Sequence, residues 1–284
     1  MARGPIVAIA SGKGGTGKTT IATNLALASA EVCRPVQYVD CDVEEPNGHI
    51  FLRPEIEQRL DVMVDIPEVN AELCTGCGKC GEICQYSAIV CIAEKVLTFE
   101  PLCHSCGGCM RVCPAGAITA RPLKIGRIEK GGSRGIAVVG GTLEIGNVRS
   151  PSLIREVKRH ISSESLTILD VPPGTACPVV AALRGVDFVL LVTEPTPFGL
   201  HDLRLAVELA REMELKFAVA INRDGLGDDA VEKYCRQEGI DIALRLADDR
   251  RIAEAYSSGD LLIDKLPEYR EHFAGLAERL GANG

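Results

Sequence analysis

Apolar residues fall along the chain in two alternating patterns. Pro5 to Ala10 is a short continuous apolar run that ends at a glycine-rich loop, and Lys18 to Ala30 then places apolar residues at helical spacing. Val36 to Asp40 is a second apolar run that ends on acidic residues, and a strand or strand pair is expected around Asp61 to Ile66. Brief apolar runs bounded by turn residues read as strands buried on both faces, and longer periodic stretches as helices. From about Asn70 to Ala120 the pattern gives way to cysteine-rich turns with no helical period, followed by β-like segments at Gly135 to Val139 and Leu143 to Ile145. Alternation then resumes, with helices expected over Ser152–His160, His201–Met213, Asp228–Gln237 and Asp249–Ser258. Strands are expected over Leu166–Asp170, Val186–Val192, Phe217–Asn222 and Ile240–Leu246. Strands alternating with helices predict an α/β fold, a mostly parallel sheet with helices on both faces. The cysteine block interrupts that fold, giving a first part over 1–69, a small α+β insert over 70–120 and a second part over 121–284.

The chain has 284 residues, 46% hydrophobic and 25% charged, enough to bury a sizeable core. A net charge of -8 gives no electrostatic reason to expect nucleic-acid binding and favours a protein partner with a basic docking patch. No stretch reaches the ~20 apolar residues of a membrane-spanning helix, and the N-terminus reads as a strand rather than a signal peptide. Tyr269, Phe273, Leu276 and Leu280 recur at helical spacing near the C-terminus. A membrane-surface helix is one reading, but the polar face lacks a Lys/Arg bias, so a helix packed on the sheet is expected. No membrane and no nucleic acid are expected as partners.

Ser11-Gly12-Lys13-Gly14-Gly15-Thr16-Gly17-Lys18-Thr19-Thr20 matches G-x-x-x-x-G-K-[ST], with a strand before it and a helix after it. Glycines let successive backbone N–H groups converge on phosphate oxygens, and the helix N-terminus adds its positive dipole end. Lys18 is expected on the β- and γ-phosphates and Thr19 on Mg2+. The additional Lys13 makes the loop resemble the deviant Walker A of MinD, ParA, Mrp and nitrogenase-iron-protein ATPases. The resemblance implies that Lys13 reaches the nucleotide of a second subunit, in an ATP-dependent homodimer. Asp40-Cys41-Asp42 and Asp170-Val171-Pro172-Pro173-Gly174-Thr175 resemble the switch regions of that class. The resemblance gives Asp42 the attacking water or the metal shell, Asp170 the Mg2+ through water, and the Gly174 N–H the γ-phosphate. Asn222 matches the position from which relatives hold adenine; a plain turn residue is the alternative there.

Thirteen cysteines require an explanation. Eight lie in two C-x2-C-x2-C-x3-C runs: Cys74, Cys77, Cys80, Cys84, and Cys103, Cys106, Cys109, Cys113, the second followed by Pro114. Such spacing wraps three thiolates around one 4Fe–4S cubane and sends the fourth to the other cluster. Cys74, Cys77, Cys80 and Cys113 are thus expected on one cluster, and Cys103, Cys106, Cys109 and Cys84 on the second. Zinc is the competing assignment, and two tight triplets exceed its needs. Iron–sulfur ligation places the chain in a reducing, cytoplasmic compartment. The block resembles bacterial two-cluster ferredoxins, with Gln85 where a proline is usual. Among the remaining cysteines, Cys33, Cys41, Cys91 and Cys235 read as small packing residues. Cys177 lies seven residues after Asp170, an offset at which the nitrogenase iron protein carries a cluster thiol; a packing role and a place near a dimer axis are both open.

Together with Asp42 to Asn47 and Thr193-Glu194-Pro195-Thr196-Pro197-Phe198-Gly199, these motifs resemble the CobQ/CobB/MinD/ParA ATPases with an inserted ferredoxin domain. The resemblance implies ATP and Mg2+ as ligands, a hydrolysis that is slow without a partner, and no glutaminase activity, since no glutaminase domain follows. Three functions fit: ATP-driven dimer closure gating electron transfer through two clusters to a protein partner; a carrier or maturation factor for iron–sulfur clusters; and a positioning or scaffolding ATPase that docks partners through the insert.

Overall fold

A computed structural model of the chain describes residues 3–32 and 35–281. The first strand, β1 (Ile6–Ala10), runs through the glycine loop into α1 (Lys18–Val32). There follow β2 (Val36–Asp40), α2 (Gly48–Leu52) and β3 (Glu55–Val69); then α3 (Lys79–Ile83), the pair β4 (Ile89–Ile92) and β5 (Lys95–Thr98), and α4 (Gly108–Val112). Two further strands, β6 (Ile118–Ser133) and β7 (Ile136–Leu143), lead to α5 (Ser150–Lys158), β8 (Leu166–Asp170) and α6 (Cys177–Leu183). The chain closes with β9 (Phe188–Thr193), α7 (Pro197–Glu212), β10 (Phe217–Asp224), α8 (Ala230–Gln237), β11 (Ile242–Ala247), α9 (Arg250–Ser257), α10 (Leu262–Lys265) and α11 (Arg270–Gly281).

Nine strands form one sheet in the order β11-β10-β9-β1-β8-β2-β7-β6-β3. The pairings β11–β10, β10–β9, β9–β1, β1–β8, β8–β2 and β2–β7 are parallel, so the fold is the expected mostly parallel α/β sheet. The register sets Asp40 beside Asp170 at the carboxyl ends of β2 and β8, next to the end of β1 that feeds the glycine loop. Carboxyl ends of parallel strands are where such sheets bind ligands.

The chain divides into two compact units: Met1–Arg59 with Ile128–Thr142 and Ile154–Gly284, and Leu60–Arg127 with Leu143–Leu153. In the first, α1 is buried from Thr20 through Ala30, as a helix apolar on all sides must be. Its single buried amide, Asn24, is satisfied twice, donating to the Thr20 carbonyl and accepting from Ile263 N–H. Tyr269, Phe273, Leu276 and Leu280 are all buried in the same core, which is the packed reading of the C-terminal helix. No described helix is long and apolar enough to cross a membrane.

The second unit carries the tandem cysteine runs. Each places a glycine at positive φ, Gly78 (77°) and Gly107 (72°), just before a five-residue helix that buries its third cysteine, Cys80 or Cys109. These helices, α3 and α4, are the helical part of the α+β insert, and show no period in the sequence because five residues are too few. Cys80, Ile89, Cys109 and Ile118 form one small core of this unit, and Ile66, Ala88 and Cys103 another.

Candidate functional site

The loop between β1 and α1 is shaped by what its glycines avoid. A Cβ on Gly12 would meet the Asp202 carbonyl at 2.2 Å, and one on Gly17 (φ +91°) the Asn222 amide nitrogen at 2.3 Å. Nothing lies within 4 Å of the corresponding positions on Gly14 and Gly15, which open onto a cleft of about 590 Å3. Gly14, Gly15, Gly17, Lys18, Thr19, Thr20, Asp42, Pro173 and Asn222 line this cleft, joined by Glu45, Asn47, Arg223 and, from the start of α9 onward, Arg250 and Tyr256.

Gly12, Thr16 and Gly174 are not among the residues that line this cleft. Thr16 is buried, with its hydroxyl unpartnered, and its carbonyl accepts from Asn222 Nδ2 at 2.8 Å. Asn222 therefore braces the loop as well as facing the cleft. The Gly174 N–H, expected at a γ-phosphate, donates instead to the Ser11 carbonyl at 3.0 Å. An N–H engaged in this way reaches a phosphate only by giving up the Ser11 carbonyl.

Behind the phosphate loop the acids are layered. Tyr38 Oη donates to Asp170 Oδ2 at 2.9 Å, while Asp170 Oδ1 is buried with no hydrogen-bond partner. Asp40, also buried, accepts from the N–H groups of Asp42 and Gly48 at 3.0 and 3.1 Å, fixing the turn that presents Asp42. Burial raises the pKa values of Asp40 and Asp170; the Thr19 hydroxyl and the Lys18 charge pull Asp170 back down. Asp42 is pushed up to about 6 by burial and the charge of Asp170, against Lys18. Burial lowers the Lys18 pKa while Asp170, Asp42 and Asp40 oppose it. Tyr38 and Asp40 are positioning groups that the motif reading did not single out.

Lys13 lies outside the cleft. Its Nζ is 3.3 Å from Glu194 Oε2, and Glu194, itself buried, also pairs with Arg223 at 2.9 Å. Glu194 was visible in the sequence only as part of a motif; its contact with Lys13 depends on β9 lying beside β1.

In the second unit the eight thiols separate into two hollows. Cys74, Cys77, Cys80 and Cys113 line one, with Val96 and Ile118 as apolar wall. Cys84, Cys103, Cys106 and Cys109 line the other, with Ile83, Tyr86 and His104. Among the described residues no three His, Cys, Asp or Glu side chains converge as one metal ion requires; thiolates ~2.3 Å from one zinc would lie within about 4 Å of each other. Backbone N–H groups point at sulfur, Ser105 to Cys103 at 3.4 Å and Ala117 to Cys113 at 3.3 Å. The Lys79 N–H lowers the Cys77 pKa. Elsewhere, Cys41 and Cys235 are buried, Cys91 is half-buried, and Cys177 opens α6 with its thiol exposed. Cys33 lies outside the described residues.

The nine-stranded sheet with a glycine phosphate loop at its carboxyl end defines a MinD-like P-loop nucleotide-binding fold. The chain belongs to the CobQ/CobB/MinD/ParA nucleotide-binding domain family, whose model matches residues 7–263. It is 30% identical to the uncharacterized protein MJ0579 of Methanocaldococcus jannaschii, over 95% of this chain and 96% of that one. It is 25% identical to an iron–sulfur cluster carrier protein of Pyrococcus horikoshii, over 96% and 84% of the two chains. The septum site-determining protein MinD of P. horikoshii, solved with Mg-ADP, shares the fold at a TM-score of 0.60 and 22% identity, over 98% of this chain and 96% of that one.

Proposed function

We propose that this chain is an iron–sulfur ATPase that binds Mg2+·ATP in its cleft, holds two 4Fe–4S clusters in its two thiol hollows, and uses the nucleotide to gate electron transfer to a protein partner. The observation that carries this reading is the division of the eight thiols into two sets of four, each set taking its fourth member from the other run. That crossed pattern is the one two-cluster ferredoxins need. In this reading the insert is residues 70–120 and the ATPase is formed by 1–69 and 121–284.

The cleft suits a magnesium nucleotide. A buried, unpartnered Asp170 Oδ1 beside Lys18 and Thr19 fits a hydrated cation, and a MinD with the same fold was solved with Mg-ADP. When bound, Mg2+ neutralises phosphate charge and each cluster accepts one electron. The loop N–H groups from Gly14 to Thr20 cradle phosphate oxygens and Lys18 Nζ pairs with the β- and γ-phosphates. Asp42 accepts a hydrogen bond from the attacking water, and Asn222, with one amide N–H on Thr16, offers Oδ1 to adenine. Lys13 leaves Glu194 for the nucleotide of a second copy when the dimer closes. The Gly174 N–H leaves Ser11 for the γ-phosphate, so ATP is read by a segment that moves.

Similarity to iron–sulfur cluster carriers over 96% of the chain favours a second reading, delivery of a cluster to a client. Four thiols per hollow speak for resident clusters, since a cluster to be donated needs labile ligation. Anaerobic purification followed by iron, sulfide and EPR analysis tests the proposal: about eight irons per chain are expected, as two 4Fe–4S centres, together with Mg2+-dependent ATP binding. A preparation that holds zinc, or that loses its clusters rapidly and in full to an apo-ferredoxin acceptor, overturns it.

A further inference from the structure

Arg149, in the short segment before α5, is among the largest fully buried side chains of the protein, 2% exposed. Among the described residues its guanidinium meets only neutral acceptors. Nη2 donates to the Glu100 carbonyl at 2.7 Å, Nε to Ser105 Oγ at 3.1 Å and Nη1 to Asn147 Oδ1 at 3.2 Å. Asn147 Oδ1 also accepts the Arg149 N–H at 3.0 Å, which fixes the backbone that carries the charge. The carboxylate of Glu100 is turned away, paired with Arg121 at 2.5 Å. A buried guanidinium without an anion is costly, and every group it touches belongs to, or faces, the loop that carries Cys103 and Cys106.

The contact with Ser105 reaches Cys103 through this one residue. Ser105 is held at φ +55°, a conformation that a non-glycine residue seldom adopts, and its N–H points at Cys103 Sγ. Four thiolates around a 4Fe–4S core carry a net negative charge that grows by one on reduction. No comparable buried cation borders the hollow of Cys74, Cys77, Cys80 and Cys113 among the described residues.

We infer that Arg149 is the buried counter-charge and positioning residue of the cluster held by Cys84, Cys103, Cys106 and Cys109, and that it raises the potential of this cluster relative to the other, making it the resting place of the electron. The inference rests on the two-cluster reading above. Reduction adds one electron to one cluster, with no proton and no bond broken.

The test is an anaerobic potentiometric EPR titration of the full chain as wild type, Arg149→Lys and Arg149→Met, with iron counted first. Cys106→Ser identifies which reduction step belongs to this cluster. In Arg149→Met that step should become at least about tenfold less favourable, 59 mV for one electron. Arg149→Lys should restore part of the difference, and the other step should stay in place. Loss of this cluster alone from Arg149→Met also supports the assignment, with Arg149→Lys then supplying the potential. Both clusters present with unchanged potentials, or both displaced equally, overturns it. A wild-type protein without two clusters instead refutes the reading beneath, and the iron count separates the two failures.

Discussion

Replacing Asp42 by Asn removes a carboxylate that the fold holds at a cost. Its pKa is pushed from 3.8 up to about 6 by burial and by the charge of Asp170, against the pull of Lys18 and of the Glu45 N–H. Between those two values the folded chain binds the proton more tightly than the unfolded chain does. Stability therefore falls as pH rises through this window, and the penalty is complete above about 6. At ~1.4 kcal/mol per tenfold the span corresponds to roughly 3 kcal/mol. Asp42 is half-buried, so screening by water reduces this to about 1–2 kcal/mol. Asn keeps an acceptor for the Glu45 N–H, which makes the substitution clean. Without nucleotide, in EDTA at pH 7.5, Asp42→Asn should melt about 2–6 °C higher than wild type, with a smaller gain at pH 5. Its ATP hydrolysis should fall by about 100-fold or more, since no carboxylate remains to orient the water. Anaerobic thermal unfolding followed by circular dichroism suits a chain without tryptophan. An unchanged or lower midpoint at pH 7.5, or a gain that does not shrink at pH 5, refutes the reasoning.

Other consequences follow from single contacts. Glu194→Gln takes the charge from the partner of Lys13, and should raise the dimer fraction with a non-hydrolysable ATP analogue about three- to tenfold, worth ~1 kcal/mol, by light scattering; no rise means that the pair does not restrain Lys13. Phe273 is fully buried between α11 and α1, so Phe273→Ala should cost about 3–5 kcal/mol in urea unfolding; a cost near zero would show that the helix is not docked. Cys113→Ser should alter the cluster of the first run and Cys84→Ser that of the second, by EPR, because the fourth ligands cross. Lys18→Ala should abolish nucleotide binding by calorimetry while leaving the iron content unchanged.

Much of the fold was legible because its central strands are short, fully buried runs: β2 and β8 lie where the pattern put them. Edges and joins were less legible. Helix α7 begins at Pro197 rather than His201, since Thr196 accepts the Gly199 N–H and proline suits a first turn. Seven-residue α6 opens on Cys177-Pro178, too short to show a period. Between Ala120 and Ile145 glycines broke the strand pattern, yet β6 and β7 are long. Gly131 serves packing there, because a Cβ would meet the Glu55 carbonyl at 2.0 Å. The phosphate loop and the cysteine runs were legible because their chemistry is local. Glu194 under Lys13, Tyr38 on Asp170 and Arg149 in the cysteine loop were not, since each contact depends on the tertiary pairing of distant segments.

If nucleotide state reaches the clusters, their reduction potentials must respond to the nucleotide bound. Both reduction steps are followed by potentiometric EPR without nucleotide, with Mg2+·ADP, and with Mg2+ and a non-hydrolysable ATP analogue. The ATP analogue, and not ADP, should shift at least one potential or change its signal. Two intact clusters indifferent to all three states would contradict it.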